Sequence, residues 1–185
     1  MAHVNRPVQE RILSAADRLF YGRGIRAVGV DAIAEEARVS KRTLYSYYRT
    51  KDDLVAAYLT ARFRQIPPSD APAREQILGY FERMERLMSA GGFRGCPYVN
   101  AVTEIGDRKH AATAIAIRFK EERLEWYRAL LERMGARDPA AVALQLQILV
   151  EGAIASFLVR EDPGIARAAR NAAAVLLDAA VAPKA

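Results

Sequence analysis

Apolar positions along this chain recur at the spacing of a helix, and strand-like alternation persists nowhere. Val8, Ile12, Ala15, Ala16, Leu19 and Phe20 follow Pro7 at helical intervals, which predicts a first helix with Pro7 at its start, closed by Gly22 and Gly24. Val30, Ile33, Ala34 and Ala37 form the single stripe of a short second helix. After a break at Arg38-Val39, Ser40 is the expected N-cap of a third helix from about Lys41 to Tyr48. Thr50 and Asp53 have the spacing of a capping box, which opens a fourth helix reaching about Arg64. The run PPSDAP at 67–72 interrupts the pattern. Longer helices follow: one over about 73–89, a short one from Pro97 to near Gly106, and one over about 108–134 ending at Gly135. Asp138-Pro139 and Asp162-Pro163 each supply an N-cap followed by proline and open two more. The expectation is an all-α protein of about nine helices, with a small N-terminal unit at 1–55 and a larger helical unit at 56–185.

Composition narrows the function classes. The 185 residues include 28 lysines and arginines against 22 acids, a net charge of +6, which favours an anionic partner. A single cysteine excludes an internal disulfide framework and suits a reducing cytoplasm. The most apolar run, 142–159, is interrupted by Gln145, Gln147, Glu151 and Gly152, so it reads as a buried helix and no membrane partner is expected. His3 and His110 have no companions at metal spacing, and no phosphate-binding glycine loop or nucleophile elbow appears. No metal, cofactor or catalytic residue is therefore expected. The alternatives are an enzyme without a recognisable motif and a helical adaptor that binds protein.

One segment departs from the even charge of the rest. Ala37 to Lys51 holds five basic side chains and three tyrosines but no acid. Two short helices separated by a tight turn form a helix-turn-helix, whose second helix must be short, polar outside and basic to enter a major groove. Val39, Leu44 and Tyr48 are spaced to hold that helix on the core. Lys41, Arg42, Thr43 and Tyr47 are left facing outward. Arg42 can donate two hydrogen bonds to a guanine edge, and Thr43 can offer a methyl or a hydroxyl. Tyr45 and Tyr47 suit phosphate contact, and Lys51 lies in the first turn of the next helix, where backbone N–H groups also meet phosphate. Arg6 adds a candidate phosphate contact from the N-terminal arm.

GIRAVGVDAIAEEARVSKRTLYSYYRTKDDL, Gly24 to Leu54, resembles the DNA-binding signature of TetR-family repressors. Ile33-Ala34, Ala37, Val39-Ser40, Leu44-Tyr45, Tyr47, Lys51 and Leu54 carry the likeness. It implies a three-helix helix-turn-helix DNA-binding unit, a C-terminal helical unit for ligand binding and dimerisation, a double-stranded operator with two-fold symmetry, a small-molecule effector and a homodimer. Two departures stand out. Val28-Gly29 replaces the family's threonine-serine pair, so the hydroxyls that cap the second helix are absent and Gly29 caps in their place. Arg38 replaces the turn glycine; if the position needs a positive φ the arginine is strained there, while its charge can meet phosphate.

In the C-terminal part, Val142, Leu146, Leu149, Val150, Ala153 and Phe157 lie on one face of the helix after Pro139, and Leu144, Ile148, Ala155 and Leu158 widen it. So broad an apolar face must be covered on more than one side. The last helix offers a stripe of small residues. Leu146, Leu149, Val150, Ala153, Phe157, Ala168, Ala172, Val175 and Leu176 are the expected dimer interface; the alternative is that both helices close their own subunit's core. Tyr80, Tyr98, Asn100, Glu122 and Trp126 are the candidate ligand-pocket residues, against the alternative that these aromatics are ordinary core. Cys96 precedes Pro97 at a helix start near Arg94, which allows a reactive thiolate; the plainer reading is a small buried residue in a tight loop.

Overall fold

The computed structural model describes residues 7–181. Among them the chain forms nine α-helices and no strand: α1 (Val8–Arg23), α2 (Val30–Glu36), α3 (Lys41–Tyr47), α4 (Lys51–Arg62), α5 (Ala73–Ser89), α6 (Pro97–Ile105), α7 (Ala111–Arg133), α8 (Pro139–Arg160) and α9 (Gly164–Val181). Arg6 and His3 lie outside the described residues.

The start signals behave as short-range chemistry demands. Ser40 Oγ accepts from Thr43 N–H at 3.0 Å. Thr50 Oγ1 accepts from Asp53 N–H while Asp53 Oδ2 accepts from Thr50 N–H, each at 3.0 Å, so the capping box is complete. Asp138 Oδ1 accepts from Ala141 N–H at 3.1 Å, and Asp162 Oδ1 accepts from Gly164 N–H at 2.8 Å. Pro7 lies one residue earlier than its expected place, as the N-cap of α1.

The chain packs as two compact units. The first takes the residues up to Gln65 together with Cys96–Phe119; the second takes Ile66–Gly95 and the chain from Lys120 onward. Packing does not follow a cut after residue 55. Val55, Tyr58 and Leu59 of α4 are buried, and α4 packs against α1 beyond that point. Within the first unit α1 also packs on α2, and α2 on α3. Ile12, Ala15, Ala16, Ile33, Leu44 and Leu54 are fully buried there. Arg62 closes the end of α4 onto α1, pairing with Asp17 and lying 4.2 Å over the Tyr21 ring.

In the second unit α9 packs against both α5 and α8 around a core that includes Ile77, Phe81, Tyr127, Leu131, Leu146, Ala173 and Leu177. Arg74 pairs with Asp178 and Arg170 with Glu82, each at 2.9 Å, which ties α5 to α9. Helix α8 is long and apolar enough to cross a membrane, yet Ala143, Leu146, Val150, Ala153 and Phe157 are buried in this core. Four residues expected at a dimer interface, Leu146, Val150, Ala153 and Phe157, therefore close the subunit's own core. Leu149 and Leu176 pack partly against it. Ala168, Ala172 and Val175 are exposed, and so are Leu144, Ile148, Ala155 and Leu158 on α8.

Candidate nucleic-acid interface

Helix α3 is held by one face and presents the other. Leu44 is fully buried and Tyr48, just past the helix, nearly so, with its hydroxyl accepting from Gln9 Nε2 at 3.4 Å. Lys41, Arg42, Tyr45 and Tyr47 are exposed, as helical spacing around Leu44 requires. Two tyrosines on a solvated helix leave large amphipathic rings uncovered, with hydroxyls free to donate to phosphate.

The leading edge of α3 differs from one residue to the next. The Arg42 guanidinium has no partner among the described residues and keeps its full fork of donors. The Thr43 hydroxyl lies 2.8 Å from Ser40 Oγ and belongs to the N-cap, so what it leaves outward is its methyl. The Lys41 ammonium is held by Asp31 of α2, at 2.8 Å from Oδ1 and 3.1 Å from Oδ2. The hydrogen bond and the charge of Asp31 together raise the Lys41 pKa above its ordinary value. No signal near the basic stretch pointed to Asp31, because it sits on the preceding helix, ten residues earlier.

The turn before α3 is closed by backbone bonds. Val39 N–H donates to Ala34 C=O and Arg38 N–H to Glu35 C=O, both at 2.9 Å, the double bond pattern that ends a helix in a left-handed residue. Arg38 is that residue, with φ 55°, and it is exposed. Gly29 caps α2 without a side-chain hydrogen bond, and Val28 is buried. Lys51, half-buried at the start of α4, follows Arg49, one more exposed cation in this stretch. Next along α4, Asp52 Oδ1 lies 3.4 Å from His110 Nε2, whose Nδ1 accepts from Ala112 N–H at 3.0 Å.

One further contact anchors the turn between α1 and α2. Glu104 of α6 accepts from Arg26 N–H at 3.0 Å, and Arg26 Nη2 donates to Ile105 C=O at 3.4 Å. Gly24, at φ 93°, passes so close that an added Cβ would lie 3.0 Å from Glu104 Oε2. Glu104 is thus a clasp on this turn.

The five candidate pocket residues fall into different units. Tyr98 and Asn100 are in the first, where the Tyr98 hydroxyl donates to Leu59 C=O at 3.3 Å and its ring stacks on Phe119 at 4.0 Å. Tyr80, Glu122 and Trp126 are in the second, where the Tyr80 and Trp126 rings lie 5.9 Å apart and each meets Tyr127. Tyr127, one of the aromatics on the central helices, is almost fully buried and its hydroxyl has no hydrogen-bond partner among the described residues; nor has Gln147 Oε1. Burial pushes the Tyr127 phenol well above its usual pKa, so it stays a neutral donor. Cys96 is buried at the N-cap of α6 and makes no cap hydrogen bond. No group of three or more His, Cys, Asp or Glu side chains gathers at metal distance among the described residues.

Comparison with known proteins places this geometry. Residues 12–58 match the model of the family described as bacterial regulatory proteins, tetR family. A solved structure of a TetR-type transcriptional regulator from Streptomyces avermitilis superposes with a TM-score of 0.86, at 36% identity over 95% of this chain and 98% of that one. The transcriptional regulator AcuR of Cereibacter sphaeroides is 34% identical over 161 residues, 76% of this chain and 73% of AcuR. The HTH-type transcriptional repressor NemR of Escherichia coli is 25% identical over 114 residues, 57% of each chain.

Proposed function

The chain belongs to the TetR family of bacterial regulatory proteins and is a DNA-binding transcriptional regulator; we propose that it is a repressor, binding a two-fold symmetric operator as a homodimer and released by a small molecule. The observation that carries the DNA reading is α3 itself. Its buried face is fixed by Leu44 and Tyr48, and its exposed face bears Lys41, Arg42, Tyr45 and Tyr47. Arg42 reads a base edge, Lys41 and the Thr43 methyl approach the floor of the major groove, and Arg38, Tyr45, Tyr47 and Lys51 hold the backbone. The relative named as a repressor supports the sign of regulation. The protein would act in the cytoplasm, where bacterial DNA lies.

The effector site is proposed around Tyr80, Trp126 and Tyr127, with Glu122 at its margin. The buried Tyr127 hydroxyl, without a partner among the described residues, is a group that a bound molecule can satisfy. The molecule must favour one conformation over the other by its differential affinity, or operator affinity does not move.

The test is selection of duplexes from a random pool by the purified chain. A two-fold symmetric consensus is expected, and Lys41→Ala/Arg42→Ala should lose it, Arg42 alone accounting for about 1–3 kcal/mol of discrimination. Unchanged affinity and selectivity in that double variant would overturn the reading. A compound that raises the melting temperature without releasing the selected duplex would remove the effector part alone.

A further inference from the structure

The basic stretch has no acid of its own, but the fold supplies one. Asp31, in the first turn of α2, sets both carboxylate oxygens within hydrogen-bond distance of the Lys41 ammonium. Both side chains are more than half exposed, at 75% for Asp31 and 52% for Lys41. An ion pair so open to water adds little to folding stability. Its consequence lies in what the lysine can bind.

We propose that Asp31 is a specificity-determining residue for DNA binding: it disfavours contact of Lys41 with the phosphate backbone while leaving contact with a base edge open. The inference rests on α3 being the helix that reads DNA. An ammonium has three N–H donors. With Asp31 occupying one or two of them, another remains for a guanine O6 or N7, so the pair survives base reading. The carboxylate can itself accept from a cytosine amino group at the same edge. A phosphate, in contrast, competes with Asp31 for the same charge and draws a second anion up to the carboxylate. Phosphate contacts carry no sequence information, so a device that weakens them selectively lowers binding to the wrong DNA. Arg42, with no such acid beside it, keeps its full reach. The two cations at the head of α3 thus play different parts.

The experiment compares the full chain with Asp31→Asn, Lys41→Ala and the double variant. Two probes are used: the duplex selected by the wild-type chain and a shuffled duplex of the same length, each titrated across a range of salt. Asp31→Asn should tighten binding to the shuffled duplex about five- to tenfold and to the selected one by no more than about twofold. The slope of log affinity against log salt on the shuffled duplex should steepen by about one, as Lys41 gains a phosphate. In the Lys41→Ala background the same change should shift the ratio far less, since the two residues act as a pair. Asp31→Ser, neutral and suited to a helix start, serves should Asp31→Asn fold poorly. A ratio of affinities left unchanged overturns the proposal, whether both duplexes tighten equally or neither moves. So does a shift that persists undiminished without Lys41. Failure of the wild-type chain to select any duplex would instead remove the reading of α3 on which this rests.

Discussion

Arg38 occupies a conformation that suits glycine. At φ 55° its Cβ crowds the following carbonyl, a cost of about 1–2 kcal/mol for an L residue. The turn imposes this, because the two closing hydrogen bonds at its start can form only if the residue after α2 turns left-handed. Arg38→Gly is therefore expected to raise unfolding stability by about 1 kcal/mol, read as a higher urea midpoint at unchanged slope. The same change removes a cation from the DNA face, so duplex affinity should fall and its salt slope should flatten by about one. Opposite signs for stability and affinity would place this residue among those kept for binding at the expense of folding. The sequence held this much openly. Ser40, Thr50 and Asp53 act on backbone groups three residues away, so spacing alone reveals them. Asp31 was hidden for the converse reason: its partner lies on another helix, and only the angle between α2 and α3 brings the two together.

Helices were legible wherever one face is apolar and the other is not, as in α1 and α5. Helix α8 has no such contrast, because it is apolar nearly all round. Periodicity then says that several sides are covered but not by what, and Leu146, Val150, Ala153 and Phe157 proved to lie in their own subunit's core, where α8 packs on α9. The clasp of α6 on the turn between α1 and α2 was illegible too, since Glu104 and Arg26 are 78 residues apart. It nonetheless yields a sharp expectation for one glycine. Gly24→Ala would force a side chain onto φ 93° and set its Cβ 3.0 Å from Glu104 Oε2. The clasp should open, with a loss of about 1–3 kcal/mol in stability and faster hydrogen exchange at the Arg26 amide. Alanine at Gly29, where the backbone is extended and nothing lies within 4 Å, should be mild by comparison. Equal effects at the two glycines would show that the contact with Glu104 carries no weight.

At the scale of the whole molecule, the apolar surface left over by the core decides how two copies can meet. Ile148 on α8 and Val175 on α9 are 59% and 68% exposed, with Leu144, Ala155, Leu158, Ala168 and Ala172 also outward on the same two helices. Both helices belong to the second unit and pack on each other, so their uncovered faces can form a continuous self-complementary patch across a two-fold axis. Single exposed apolar residues need no explanation, but a set of them on paired helices does. Ile148→Glu/Val175→Glu brings two carboxylates from each copy into such a two-fold interface and replaces no fully buried residue. The proposed dimer predicts that the wild-type chain scatters light as a dimer and this variant as a monomer at the same concentration, with unfolding stability of the subunit little changed. Affinity for the selected duplex should fall steeply, because two reading heads held together bind as one event and separated heads do not. Leu146→Ala is the contrasting case: it leaves a void in the subunit core and should cost about 2–5 kcal/mol of stability at any oligomeric state. If instead the double glutamate variant stays dimeric with full duplex affinity, the subunits meet elsewhere and the exposed faces of α8 and α9 require another explanation.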